Sequence, residues 1–179
     1  MTFWKLFWNK TKILQINQHS NKYNYRQNKI LIKDFDYKDK KINIFLSKDK
    51  NIDLYELEEL CDTVGWVRRP LKKVKIAIEH SFLTISLSYQ KNNKKKLIAF
   101  ARATSDNTFN ATIWDVVVHP EFQGRGLGKI LINEAIKQLR YADINTITLF
   151  ADPQVISFYK NLGFISDPDG VKGMFWYPH

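Results

Sequence analysis

The chain has one cysteine, Cys61, among its 179 residues. No internal disulfide can form, and this usage fits a reducing compartment. Cys61 falls on an apolar helical stripe, where a thiol packs as a small hydrophobe. No apolar run approaches the ~20 residues that a membrane-spanning helix needs. Acidic side chains are missing from the start of the chain, the first being Asp34. That absence resembles a transit peptide, yet the stretch before Asp34 holds one Arg and one Ser, which is little for that class. The same stretch lacks the apolar core and small-residue cleavage site of a secretory signal. Its "FWKLFW" (3–8) has two readings, packing on the domain or docking on a partner. Glycine and proline are few, 7 and 5, and no linker of flexible composition divides the chain.

What is present is globular: 44% hydrophobic and 14% aromatic residues, enough for one domain with a real core. The net charge of +10 is unevenly placed. Residues 1–100 carry 21 basic and 10 acidic side chains, whereas residues 101–179 carry 7 and 8. The basic half is either a solvated surface or a face for an anionic partner. Its lysine runs lack interleaved aromatics and no nucleic-acid-binding motif occurs, so no specific nucleic acid is expected. Residues 1–40 read as a basic, poorly patterned extension and 41–179 as one domain.

Hydrophobic periodicity sets the element order. "INIFL" (42–46) reads as a strand. Asp53 and Glu56 have the spacing of a capping pair before a helix with Leu54, Leu57, Cys61 and Val64 on one stripe. Pro70 suits the first turn of a second helix with Leu71, Val74 and Ile78. "FLTISLSY" (82–89), "KKKLIAFARAT" (94–104) and "FNATIWDVVV" (109–118) form a meander, the last two joined through "SDN". Leu127, Leu131, Ala135 and Leu139 mark a third helix. "TITLF" (146–150) is a strand, Asp152-Pro153 opens a helix that Gly163 closes, and "DPDG" (167–170) predicts a turn between two last short strands. The fold class is α/β (α+β), a mixed central sheet with flanking helices.

Three of the seven glycines stand within five residues, in "QGRGLG" (123–128), between a strand and a helix. Bare amides at a helix start make an anion cradle suited to a diphosphate. The phosphate loop of nucleotide hydrolases does not fit, because Gly128-Lys129 is followed by Ile130 and position 123 is Gln. The dinucleotide pattern GxGxxG does not fit either, since the spacing is GxGxG. Gln123-Gly124-Arg125-Gly126-Leu127-Gly128 resembles the Q/R-x-x-G-x-G/A loop of the GNAT superfamily of acyl-CoA-dependent N-acetyltransferases. The helix with Ser157-Phe158-Tyr159, closed by "NLGF", is similar to that superfamily's other signature. Within the superfamily, three stretches resemble plant chloroplast acetyltransferases described as serotonin N-acetyltransferases, and GNAT proteins of algal plastid genomes. They are "ARATSDNTFNATIWDVVVHPEFQGRGLGK", "LFADPQVISFYKNLGF" and "GVKGMFWYP".

The resemblance covers about residues 42–177 and implies a GNAT fold with a splayed strand pair, acetyl-CoA as co-substrate, no metal and a plastid location. It implies that Gln123, Gly124, Arg125, Gly126, Leu127, Gly128 and Lys129 hold the pyrophosphate. The backbone of Val116, Val117 and Val118 would pair with the pantetheine arm, an N–H of Val117 or Val118 serving the oxyanion. Tyr159 matches the tyrosine that protonates the departing thiolate. Asp152 is either a helix cap or a catalytic base acting through water. Asp115 would face the amine pocket, attract a cationic acceptor and relay its proton as a catalytic residue, with Trp114 lining that pocket or packing in the core. His119 is a surface residue or a proton relay. Trp66, Arg68 and Arg69 fall where substrate-selecting elements lie, and Thr146 departs from the Asn usual in the plant enzymes. The acceptor is a small-molecule amine, such as an arylalkylamine like serotonin, or a protein lysine or N-terminus. The chain would act alone or as a homodimer. Two other readings remain at this point, a coenzyme A-binding regulatory module without catalysis and a basic nucleic-acid binder.

Overall fold

The computed structural model describes residues 29–92 and 94–177. The aromatic segment at 3–8 lies outside the described residues. Six strands lie side by side in chain order: β1 (Lys29–Tyr37), β2 (Lys40–Ser47), β3 (Leu83–Lys91), β4 (Lys94–Ser105), β5 (Asn110–Val118) and β6 (Thr146–Leu149). Neighbours are antiparallel except for the parallel pair β5–β6. Helices α1 (Leu54–Asp62), α2 (Leu71–Glu79) and α3 (Leu127–Tyr141) complete a unit whose described residues run as far as Ala151. Asp152 onward belongs to a second unit, with a short helix α4 (Ile156–Lys160). The architecture is the mixed α/β sheet expected.

Seven consecutive residues of β3, Leu83–Tyr89, are buried, which a strand achieves only when both its faces are covered. Leu57 and Leu60 of α1 pack with Ile78 of α2 against Leu97, Phe100 and Val117 of the sheet. Helix α3 buries Leu127, Leu131, Ile132, Ala135 and Leu139, the stripe that its period of 3.6 dictates. Asp53 caps α1, accepting the N–H groups of Tyr55 at 2.9 Å and Glu56 at 3.2 Å. Glu56 does not return the bond as a capping box would. It accepts the Leu97 N–H at 3.2 Å and pairs with Lys96 at 3.1 Å, tying α1 to β4.

Three expectations are corrected. The sheet starts before residue 41, because β1 pairs with β2 along its length. Two register irregularities and a positive φ at Asp34 break the alternation that would have marked β1. The final hairpin is absent among the described residues, where "DPDG" forms a 3-10 turn, Pro168–Gly170, without flanking strands. The helix from Asp152 to Gly163 is shorter than its signals suggest. A 3-10 turn, Pro153–Val155, precedes α4, and Gly163 follows it at φ +92°.

Candidate active site

β5 carries a bulge at its middle. Phe100 faces Val117 and Arg102 faces Trp114, so Asp115 and Val116 together oppose Ala101. Asp115 takes φ 53°, a left-handed conformation that Asp tolerates better than most residues and that costs about 1–3 kcal/mol. The conformation is held by two ion pairs. Asp115 Oδ2 accepts Arg102 Nε at 2.6 Å and Oδ1 accepts Arg69 Nη1 at 2.9 Å. The carboxylate is thus committed to two guanidinium groups, which is a different occupation from attracting an ammonium.

Just before the bulge, β5 loses its parallel partner. The last pair is Ile113 with Leu149, so the strands part there and β5 continues with one edge open. The His119 N–H donates to the Ile98 carbonyl at 2.8 Å. Counting back along an antiparallel ladder, Val117 also faces β4, while the peptide groups of Val118 and Val116 turn away from it. The outward Val118 carbonyl accepts Gln123 Nε2 at 2.8 Å. Gln123, first residue of the glycine loop, therefore ties that loop to the strand end.

The loop itself is shaped by Gly124 at φ +70° and Gly126 at φ +82°. A Cβ at either would meet no protein atom within 4 Å, so conformation rather than crowding demands glycine there. Gly126 is the N-cap of α3 and supplies no side-chain cap. The first bond of the helix runs from the Ile130 N–H to the Gly126 carbonyl. Among the described residues the six amides of Gly124 through Lys129 find no acceptor. These donors, the helix dipole and the exposed Lys129 fit a diphosphate.

Arg125 does not point to this space. Its guanidinium lies 3.9 Å from the Phe35 ring centre and donates to the Asp36 carbonyl. Sequence reasoning missed these β1 contacts. Phe35 and Tyr37 stack on Phe122, at 6.0 and 4.6 Å between ring centres. The Tyr37 hydroxyl donates to Glu121 at 2.5 Å, and Lys38 pairs with Glu121 at 2.6 Å. Burial, then the Glu121 hydrogen bond, pushes the Tyr37 phenol above its usual value. Lys38 and then Tyr37 hold Glu121 below the ordinary carboxylate range. The turn of the β1–β2 hairpin is thereby strapped across the 3-10 turn Pro120–Phe122 that leads into the loop. His119 caps that turn, its Nδ1 accepting the Glu121 N–H at 3.2 Å.

Trp114 is partly exposed, its indole N–H held by Thr104 Oγ1 at 2.9 Å and its ring 5.5 Å from that of Phe150. This aromatic pair stands where β5 and β6 part. Thr146 opposes Asn110 in the ladder. Arg68 is paired with Asp62 at 2.5 Å. Cys61 is half-buried, and burial raises its thiol pKa against the opposing effect of Arg69, as suits an inert thiol. In the second unit the Tyr159 ring is buried at 8% exposure, edge-on to Phe158 and Phe164. Burial, then the Asp152 charge, raises its phenol pKa. The Tyr159 hydroxyl makes no hydrogen bond among the described residues. Asp152 takes the N-cap backbone conformation, but its side chain accepts no helix N–H. No cluster among the described residues has the makings of a metal site.

A parted strand pair followed by a glycine loop at a helix start defines a mixed α/β fold with an anion cradle at the strand end. The acetyltransferase (GNAT) family pattern matches residues 51–164, and the chain belongs to that family. It is 61% identical to the uncharacterized N-acetyltransferase ycf52 of Gracilaria tenuistipitata var. liui, over 99% of both chains. It is 50% identical to GCN5-related N-acetyltransferase 2, chloroplastic, of Arabidopsis thaliana, over 75% of this chain and 58% of that one. A GNAT family acetyltransferase from Streptococcus pneumoniae superposes with a TM-score of 0.63 at 21% identity, covering 75% of this chain and 98% of that one. The chain is an N-acetyltransferase, and acetyl-CoA is the co-substrate of its family.

Proposed function

We propose that the enzyme transfers acetyl from acetyl-CoA to a primary amine of a protein or of an arylalkylamine, inside a plastid. The observation that carries this reading is the run of six amides, Gly124 through Lys129, unpaired among the described residues, beside the open edge of β5. The amides would hold the pyrophosphate, with Lys129 adding a charge. Val116 and Val118 offer outward peptide groups to the pantetheine and the thioester oxygen, whereas Val117 is turned to β4. Gln123 and Arg125 act by holding the loop to β5 and β1.

In the transfer a C–N bond forms and the C–S bond breaks. The amine gives up one proton and the departing sulfur takes one, with no change of oxidation state. Tyr159, kept protonated by burial, supplies the second proton. Asp152, not engaged as a cap, accepts the first through water. Asp115 is withdrawn from proton transfer by its two arginines and instead holds the bulge. The plastid location is supported by the name of the Arabidopsis relative.

Mass spectrometry of products from serotonin, tryptamine, lysine peptides and peptides with free N-termini tests the reading, alongside thermal shifts with acetyl-CoA, NADH and ATP. Acetylated product, and a shift with acetyl-CoA alone, is expected. A shift without any product would make the chain a binding module.

A further inference from the structure

The acceptor side of the site is more positive than its sequence suggests. Asp115 is the carboxylate of β5 at the parting of the strands, and it is shared by Arg69 and Arg102. Those two cations against one anion make a cluster of charge +1, while Glu58 and Asp62 line the hollow on the other side of Arg69 and Asp62 is taken by Arg68. Arg102 and Asp115 are largely covered, with side chains 14% and 17% exposed, whereas Arg69 is 42% exposed. The excess charge is therefore presented by Arg69, from the loop between α1 and α2. Only its Nη1 is used by Asp115, and no second carboxylate reaches it among the described residues. A guanidinium tied to one carboxylate oxygen, with the Cys61 thiol beside it, keeps exposed donors in a rigid fork for an incoming carboxylate. The Trp114–Phe150 pair stands at the same parting of strands, a wall that receives the apolar part of a chain without opposing charge.

From this juxtaposition we infer that the acceptor is a peptide amine with a carboxylate beside it, the carboxylate being received by Arg69 at the β5 bulge. This rests on the acetyl-transfer reading above. A free monoamine such as serotonin brings a cation and no anion, and meets net repulsion at the bulge. A lysine or N-terminal amine next to Asp or Glu brings both, and its own carboxylate offsets the +1. Attraction of a bare ammonium by Asp115, the expectation from sequence, fails because that charge is already neutralised.

The test compares peptides alike except at the residue beside the reactive amine, which is Glu, Ala or Lys. The expected kcat/KM for Glu exceeds that for Ala by about tenfold, the size of one charge-assisted hydrogen bond, and Lys falls below Ala. The gap should narrow as salt rises. Arg69→Gln should bring Glu and Ala within about twofold, Arg69→Glu should invert the order, and Arg69→Lys should restore part of it. The KM for acetyl-CoA and the melting temperature, read in each variant, separate this from misfolding. Equal rates for Glu and Ala, or a preference for Glu that survives Arg69→Gln in a folded variant, would overturn the inference. If no amine turns over, the acetyl-transfer reading falls. The charge preference is then decided by equilibrium binding of the same labelled peptides, where equal affinities for Glu and Ala overturn it and tighter Glu binding upholds it.

Discussion

Tyr159→Phe keeps the ring between Phe158 and Phe164 and deletes a hydroxyl that bonds no other residue among those described. Folding and acetyl-CoA affinity should persist while kcat falls about 10²-fold, the low end for general acid catalysis. Near-normal turnover would remove the acid from the mechanism. Asp152→Asn should leave the melting temperature unchanged, since the carboxylate makes no cap bond, and should lower turnover. Lost stability with normal turnover would make it a cap alone. The pH profile follows from the same groups. The Tyr159 pKa is raised above the ordinary 10, so the acid form is complete at neutral pH and is lost only as pH rises through that raised value. The acceptor must be neutral to attack, with an ordinary pKa of ~8 for an α-amine and ~10.4 for lysine. The rate should climb from pH 6, level off, and decline only at strongly alkaline pH. A kinetic titration of wild type and Tyr159→Phe checks this, and an alkaline decline identical in both would assign it to another group.

The glycine loop and the strap behind it differ in how they use energy, and two variants separate them. Gly126→Val forces a β-branched residue to φ +82°, which costs about 1–2 kcal/mol and moves amides. Acetyl-CoA affinity should drop at least about tenfold by calorimetry. Tyr37→Phe leaves the stacking on Phe122 and removes only the bond to Glu121, a net ~0.5–1.5 kcal/mol. The KM for acetyl-CoA should rise about two- to fivefold with kcat unchanged, because the strap steadies the loop without touching reacting atoms. An unaltered KM would show that β1 does not support the loop. The loop was legible in the sequence because positive φ selects glycine by residue type. The strap was not, because β1 carries bulges that break period-2 alternation and its aromatics look like any exposed strand. The Asp115 conformation was hidden for a related reason. A non-glycine residue at positive φ leaves no mark in composition, and the arginine that holds it lies 46 residues away.

At the scale of the molecule the legible part was what repeats or alternates. Helical stripes gave α1, α2 and α3, alternation gave β3, apolar stretches gave β4 and β5, and their order gave a mixed sheet, although alternation marked β3 as half-buried whereas both its faces are covered. Pairings between distant charges, such as Arg69 with Asp115, were not legible. The net charge of +10 was readable from the start, and its use can now be argued. In the function proposed above, acetyl-CoA would bring several negative charges to the cradle of amides and Lys129, on a chain whose first 100 residues hold 21 basic and 10 acidic side chains. A long-range field of that sign speeds the approach of an anion but leaves the bound complex nearly unaffected. Raising ionic strength from about 0.1 M to about 1 M shortens the screening length from ~10 Å to ~3 Å. The kcat/KM for acetyl-CoA should then fall several-fold while kcat at saturation changes little, because the amides act at contact distance and are not screened. A kcat/KM indifferent to salt would mean that capture depends on the cradle alone, and that the basic half of the chain serves something other than the arrival of coenzyme A.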